Sequence, residues 1–187
     1  MGSRIGCATP SHPRPPHDVR SVDADPTLIR HDELLEERAR RFLDAARTAT
    51  LATIGPSGRA RLVPICFVVG RDDVAGPIRL YSPLDDKPKA VADPRGLARV
   101  RDLLARPAAT LLVDRWSEDW DRLGWLRLEA TADLLEPGPG SDASEHDDAV
   151  AALRAKYPQY AGHRLELRPI LRFRVDRAVS WGELAPD

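Results

Sequence analysis

The residue types best suited to do chemistry together lie in one stretch, residues 111–130, with the sequence LLVDRWSEDWDRLGWLRLEA. Three of the chain's four tryptophans fall there, and Trp125 alternates with Arg127 and Glu129 along a predicted strand. A period of two places these three side chains on one face of the strand and the aliphatic residues between them on the other. The polar face has two interpretations. It is an outer sheet face with an Arg–Glu pair, or it is one wall of a pocket where rings stack on a flat anionic ligand and an arginine pairs with it.

A second group of candidate residues lies in the loop DDKPK and the segment that follows it. The chain has only three lysines, and two of them, Lys87 and Lys89, are in this loop. A predicted helix over residues 94–105 follows and carries Arg99 with two further arginines. Lysines, arginines and a helix N-terminus at one junction are typical of a phosphate or carboxylate site. A solvated basic loop balanced by two aspartates is the alternative.

The sequence offers no other catalytic or metal-binding constellation. We find no GxGxxG, Walker, CxxC, HExxH or GxSxG pattern, and the two cysteines have no ligand spacing. We predict that His146 and His163 are surface residues. No catalytic residue and no metal ligand is therefore assigned.

Composition indicates a single globular domain with a tail. The chain has 187 residues and a net charge of −1, which does not favour nucleic acid or a membrane surface as a partner. Residues 1–26 are rich in Pro, Ser, His and Arg and are predicted to be disordered, and residues 27–187 form the domain. No apolar run is long enough to span a membrane and no secretory signal is visible, so we expect a cytoplasmic protein.

Periodicity predicts an antiparallel β-barrel decorated by helices, in the α+β class. A helix is expected to begin at Asp25-Pro26-Thr27 and to run to about residue 47. The remaining elements follow in chain order: strands 50–54, 59–69 and 78–82, helix 94–105, strands 111–113 and 125–130, helix 147–156, and strands 169–175 and 178–184.

The predicted strand 59–69 is unusual because it becomes apolar on both faces from Leu62 onward. Both faces of such a strand must be packed away from water, one against the core of its own domain and the other against a second surface. Pro64 cannot donate a ladder hydrogen bond, so this part of the strand lies at an edge or a bulge. The backbone groups that stay unpaired there could bind a ligand or contact a partner subunit. Alternatively, the segment is a simple edge strand.

Several segments together resemble the pyridoxamine 5′-phosphate oxidase-like flavin-binding split barrels. They are LATIGPSGRARLVPICFVV, the following YS, and LLARPAATLLVD. More narrowly, DDKPK, the tryptophan-rich stretch and LRAKYPQY resemble a subgroup predicted to use the deazaflavin coenzyme F-420. The similarity covers about residues 34–184. The chain departs from its relatives at Gly124, where they usually carry tryptophan or similar bulk, and at residues 90–93, where they carry a basic run.

The resemblance implies a mainly β, six-stranded antiparallel split barrel of the FMN-binding type. It also implies a homodimer with cofactors in grooves at the dimer interface. The residues implied to bind the cofactor are spread over four segments: Val63, Pro64, Ile65, Tyr81, Ser82, Lys87, Lys89, Arg99, Trp120 and Arg127. The ring system would lie against residues 63–65, and the cationic side chains at 87, 89 and 99 would meet the phosphate.

Three functions remain open at this stage. The first is an oxidoreductase that moves a hydride between reduced F-420 and a small unsaturated organic substrate. The second keeps the barrel but uses FMN as an oxidase or reductase. The third is a non-catalytic protein that binds a flavin, a deazaflavin or haem, although no histidine on a predicted strand is available as an axial haem ligand.

Overall fold

The computed structural model describes residues 28–29, 37–70, 77–84 and 93–185. Its strands are β1 (Leu28–Ile29), β2 (Ala49–Ile54), β3 (Ala60–Ile65), β4 (Val68–Val69), β5 (Arg79–Pro83), β6 (Ala108–Arg115), β7 (Gly124–Leu135) and β8 (Ile170–Gly182). Its α-helices are α1 (Glu37–Ala45), α2 (Ala98–Ala105) and α3 (Ala143–Lys156). Short 3₁₀ helices occupy Pro94–Gly96, Trp120–Arg122, Pro158–Gly162 and Leu165–Leu167.

All strand pairs are antiparallel and belong to one sheet, in the order β3-β2-β6-β7-β8-β5-β4, with β1 attached to β8. The two ends of this path, β3 and β4, are neighbours in the chain and are separated only by Cys66 and Phe67. Because two residues span well under about 10 Å, the sheet must curl until its ends meet. This closure makes the sheet a split barrel, as predicted.

The turn between β3 and β4 is stabilised by a distant side chain. The Tyr157 hydroxyl accepts a hydrogen bond from the Phe67 N–H at 3.0 Å and lies 2.6 Å from the Phe67 carbonyl, to which it donates. Phe67 is fully buried, so these backbone groups would otherwise lack partners. The predicted single strand 59–69 is therefore two strands with a kink between them.

Two hydrophobic cores hold the fold together. The first fills the barrel, where Leu51, Leu111, Leu126, Leu128 and Phe173 are buried. The second lies between α3 and the sheet, around residues such as Leu153, Tyr157 and Ile170. An alternating strand can serve one core on each face, which is why the barrel carries helices on its outside.

A network of charges joins α3 to the sheet. Arg172 on β8 donates to both carboxylate oxygens of Asp133 at 2.8 and 2.9 Å, and to Glu145 of α3 at 2.6 Å. Partial burial alone would raise the pKa of Asp133, but the hydrogen bonds from Arg172 and Arg174 outweigh it and lower that pKa. Asp133 is therefore ionised at neutral pH, and the contacts of Arg172 with Asp133 and Glu145 position the first turn of α3.

Several predicted boundaries are wrong. The helix predicted from residue 27 is not formed at its start, because Leu28 and Ile29 pair with β8 as strand β1; residues 30–36 are outside the described part. The two predicted C-terminal strands are one strand, β8, with a bulge where Glu129 pairs with Arg177 and Ala130 with Val175. Within the described residues the barrel path has seven strands, not six, because the kink divides one of them.

Two absences concern only the part of the chain that the structure describes. In residues 28–29, 37–70, 77–84 and 93–185, no helix is long and apolar enough to cross a membrane. The same residues contain no group of three or more His, Cys, Asp or Glu side chains that could hold a metal ion.

Candidate functional site

The outer face of β7 carries the predicted constellation. Alternation along the strand is confirmed, because Leu126 and Leu128 are fully buried in the barrel whereas Trp125, Arg127 and Glu129 are half-buried on the other side. The polar and aromatic side chains therefore share one face, as the sequence predicted.

The register extends this face across four strands. Pro64 pairs with Thr50, Thr50 with Leu112, and Leu112 with Arg127, so the four residues form one row from β3 to β7. With strands spaced about 4.8 Å apart, the row is about 14 Å long. Pro64 at one end and Leu112 in the middle are apolar and exposed, Thr50 between them is half-buried, and Arg127 makes the other end cationic.

Arg127 keeps hydrogen-bonding capacity in this row. Its Nε is buried and has no hydrogen-bond partner in the part of the chain that the structure describes. Its Nη2 lies 3.8 Å from Glu129 Oε1, which is an ion-pair contact but too long for a hydrogen bond. Glu129 also accepts from Arg177 at 3.3 Å. An acceptor atom that reached this face would therefore find donors on Arg127 that Glu129 does not use.

The three predicted ring-contact residues of β3 do not share one environment. Val63 and Ile65 point toward the barrel, where Ile65 is buried and Val63 packs against the core, while Pro64 is exposed on the outer face. Leu62 lies on the same face as Pro64 and is 70% exposed. Pro64 was predicted to lie at an edge or a bulge; among the described strands β3 pairs only with β2, at one end of the path, so the edge is confirmed.

Tyr81 and Ser82 lie away from this row, on β5. Both are buried. The Tyr81 hydroxyl donates to Glu145 Oε1 at 2.6 Å, under α3. Burial, together with the bond to Glu145 and its charge, raises the pKa of Tyr81 well above its ordinary value. Tyr81 therefore contributes to the docking of α3 in the described part of the chain.

The remaining predicted residues are dispersed. Lys87 and Lys89 lie outside the described residues. Arg99 is half-buried on α2, and Trp120 is 76% exposed in the 3₁₀ helix of the β6–β7 connection. Of those members of the predicted cofactor-binding set that the structure describes, only Arg127 and Pro64 lie in one row on one face.

Two histidines were predicted to be at the surface, and for His146 this is wrong. Its side chain is buried in α3, and Nε2 lies 2.9 Å from the Arg168 carbonyl oxygen. Nothing in the local sequence around His146 indicates that its side chain is buried or that it contacts the carbonyl group of a distant residue. His163 is half-buried and packs edge-on against Tyr160.

Arg115 makes a set of backbone contacts that the sequence did not predict. Arg115, at the end of β6, donates through its guanidinium to the carbonyl oxygens of Arg122 at 2.9 Å, Glu183 at 2.7 Å and Ala185. It thereby joins the tryptophan-bearing β6–β7 connection to the C-terminal segment. In the sequence, Arg115 is one of many arginines and nothing marks it.

Gly124, noted as a departure from the relatives, has a structural reason. A Cβ at this position would lie 2.1 Å from the Glu183 carbonyl oxygen, so no side chain fits there. Its cross-strand partner, Gly182, has φ +77° and an equally close backbone neighbour, the Leu123 carbonyl oxygen. The two glycines let the backbones of β7 and β8 approach closely beside the Trp125–Trp181 pair.

The split barrel with a cationic, partly apolar outer face defines the class to which this protein belongs. The family profile described as Pyridoxamine 5′-phosphate oxidase matches residues 35–182, which is most of the chain. The chain belongs to the pyridoxamine 5′-phosphate oxidase family. No sequence among curated proteins matches it.

Solved structures share the fold at low sequence identity. A conserved hypothetical protein from Mycobacterium tuberculosis is 19% identical, with a TM-score of 0.57, covering 82% of this chain and 89% of the other. The heme storage protein HutZ from Vibrio cholerae is 14% identical, with a TM-score of 0.52 and coverages of 82% and 99%. A FAD-binding protein from Mesorhizobium loti is 17% identical, with a TM-score of 0.50 and coverages of 75% and 87%.

Proposed function

We propose that this protein is an oxidoreductase that binds the deazaflavin coenzyme F-420 on the outer face of β7. Its reaction would be hydride transfer between the reduced cofactor and a small unsaturated organic substrate. The observation that carries the proposal is Arg127, whose buried Nε has no hydrogen-bond partner among the described residues, in a row that also holds the exposed apolar residues Pro64 and Leu112.

The residues of this row suit a flat anionic ligand. Pro64 and Leu112 offer apolar contact to a ring system, and Arg127 offers a planar set of donors that pairs well with a carboxylate, a phosphate or a ring carbonyl. The cofactor itself would supply the hydride chemistry, while the protein supplies orientation and exclusion of water.

We further propose that the protein is a homodimer and that the row lies at its interface. Leu62, Pro64 and Leu112 form an exposed apolar surface on a curled sheet, and such surfaces are typical of partner contacts. A second subunit would provide the second cover that the apolar strand β3 requires, and would close the groove over the cofactor.

The choice of F-420 over FMN depends on the length of the cationic track. F-420 carries a phosphodiester and several glutamate carboxylates, whereas FMN carries one phosphate. Cationic residues recur from Lys87 to Arg106 along the chain, with Arg99 in the middle of that run. A spread of positive charge fits the longer anionic tail. FMN remains the alternative cofactor, and a non-catalytic flavin- or deazaflavin-binding protein remains the alternative role.

A haem-binding role has less support. Some proteins of this fold bind haem by name, including HutZ. The two histidines in the described residues, His146 and His163, lie in α3 and after a 3₁₀ helix, and His146 already contacts a backbone carbonyl. Neither lies on a barrel strand as an axial ligand.

The test is an absorbance or fluorescence titration of the purified protein with F-420 and, separately, with FMN. We expect tighter binding of F-420. Arg127→Ala should weaken F-420 binding at least about tenfold, because one charge-assisted contact contributes roughly 1.5–3 kcal/mol, with little change in the stability of the protein without cofactor.

Arg177→Ala is the matched control, since Arg177 is an exposed arginine that pairs with the same Glu129. It should leave F-420 binding unchanged. If both variants bind F-420 like the parent, Arg127 is only part of a surface ion pair, worth at most about 1 kcal/mol. If FMN binds the parent more tightly than F-420, the FMN alternative replaces this proposal.

A further inference from the structure

The C-terminal end of α3 carries a lysine in an unusual environment, away from the outer face of β7. Lys156 is half-buried, and its Nζ lies 4.6 Å from the centroid of the Phe67 ring and 5.7 Å from that of Tyr157. Its one hydrogen bond in the described residues is a long one of 3.4 Å, to the Leu43 carbonyl oxygen near the end of α1. The amine therefore lies close to two aromatic rings and has only this one long hydrogen bond to the described residues.

The charged and titratable groups around this amine are Asp44, Arg47, Cys66 and Tyr157. Arg47 also contacts the Tyr157 ring, with its guanidinium carbon 4.7 Å from the ring centroid. The pKa of Lys156 is lowered from 10.5 to about 8, chiefly because burial disfavours the charged amine; Arg47 contributes to the lowering, whereas Asp44 and Cys66 oppose it. At pH 7.5 about a quarter of such an amine is neutral, against about one in a thousand for an ordinary lysine.

Desolvation together with a neighbouring cation is the arrangement by which enzymes turn a lysine into a nucleophile. The site is also reachable from solvent, because Arg47 and Asp44 are exposed and Cys66 is only half-buried. A small electrophile could therefore enter beside the aromatic rings. The exposed guanidinium of Arg47, which contacts the same Tyr157 ring as Lys156, favours electrophiles that carry a negative charge.

We propose that Lys156 is a nucleophilic amine that forms imines with small aldehydes, and that Arg47 favours aldehydes bearing a carboxylate or phosphate. The nitrogen lone pair attacks the carbonyl carbon, a C–N bond forms, and the carbonyl electron pair moves to oxygen. After proton transfer from nitrogen to oxygen, one water leaves and a C=N bond remains. The step needs no oxidant, reductant or metal, and it is independent of the function proposed for β7.

Reductive trapping tests this proposal on the full-length protein without cofactor. The protein is treated at pH 7.5 with glyoxylate and cyanoborohydride, which reduces the imine to a stable amine, and labelling of each lysine is followed by peptide mass spectrometry. The chain provides its own comparison, since Lys87 and Lys89 are the only other lysines. We expect Lys156 to be labelled at least tenfold faster than either in the folded protein, and at a similar rate to both in denaturing urea.

A neutral aldehyde and one variant separate the two parts of the proposal. Arg47→Gln should slow labelling by glyoxylate more than labelling by acetaldehyde, because only glyoxylate carries the negative charge. Equal slowing of both would show that Arg47 acts only on the protonation of the amine and would overturn its role in selection. Labelling of Lys156 no faster than that of Lys87 and Lys89 would overturn the nucleophile itself.

Discussion

At the scale of single residues, Lys156 links the stability of the fold to pH. Burial holds its pKa near 8 in the folded protein, whereas the unfolded chain restores a value near 10.5. Between these values the unfolded state binds more protons, so the free energy of unfolding rises with pH. Below about pH 8 both states are protonated and the cost of the buried charge is fully present; above about pH 10.5 both are neutral and the cost is gone.

Lys156→Met should therefore change the pH dependence of stability in a defined direction. From pH 7.5 to pH 10, the parent should gain about 1–2 kcal/mol relative to the variant, less than the full shift implies because the amine is only partly buried. Urea unfolding of both proteins at the two pH values measures this, and the comparison cancels the titration of other groups. An unchanged difference between the two proteins would contradict a buried, weakly solvated amine.

Single residues were predicted best where one strand has two different faces. Trp125, Arg127 and Glu129 could be assigned to one face because alternation is a local property of a strand. His146 and Gly124 could not be interpreted in that way. The contacts of His146 and Gly124, with the carbonyl groups of Arg168 and Glu183, join positions far apart in the chain, and no local pattern encodes them.

At the scale of elements, the kink between β3 and β4 determines how the sheet closes. The sequence predicted one strand over residues 59–69 because its apolar run is continuous, and Pro64 indicated an edge. It did not predict the break at Cys66 and Phe67, because the Tyr157 hydroxyl that satisfies Phe67 comes from an element 90 residues later. A long-range partner of this kind overrides local strand propensity.

Tyr157→Phe should therefore destabilise the fold more than the removal of a hydroxyl from another buried tyrosine. It leaves the buried N–H and C=O of Phe67 without their partner, at an expected cost of about 2–3 kcal/mol in urea unfolding. Tyr81→Phe is the matched control, because it removes a hydroxyl from Glu145, which keeps Arg172; about 1 kcal/mol is expected there. Equal costs would show that the kink does not depend on Tyr157.

At the scale of the whole molecule, the fold class was predictable and the strand count was not. The order of helices and short antiparallel strands indicated a barrel, and the resemblance indicated a split barrel. The seven-strand path and the pairing of Leu28–Ile29 with β8 follow from tertiary contacts. The predicted cofactor site agrees with the structure less well than the predicted fold does. Lys87 and Lys89 lie outside the described residues, and most of the other predicted residues lie on different faces of the barrel.

The exposed apolar residues on the outer face of the barrel predict that the protein forms a dimer. Leu62 is 70% exposed on β3, beside Pro64 and in the same face as Leu112, and an exposed apolar edge strand is a liability unless a partner covers it. We expect a dimer in sedimentation velocity at micromolar concentration. Leu62→Asp should shift it to monomers, because a carboxylate buried in an apolar interface lacks a partner.

Leu167→Asp provides the comparison, since Leu167 is 61% exposed but lies in the 3₁₀ helix Leu165–Leu167, away from this face. It should leave the dimer intact. A parent protein that sediments as a stable, folded monomer would contradict the proposed dimer. A dimer that tolerates Leu62→Asp but not Leu167→Asp would place the interface on the opposite side of the barrel. The cofactor groove would then have to be formed by one subunit alone.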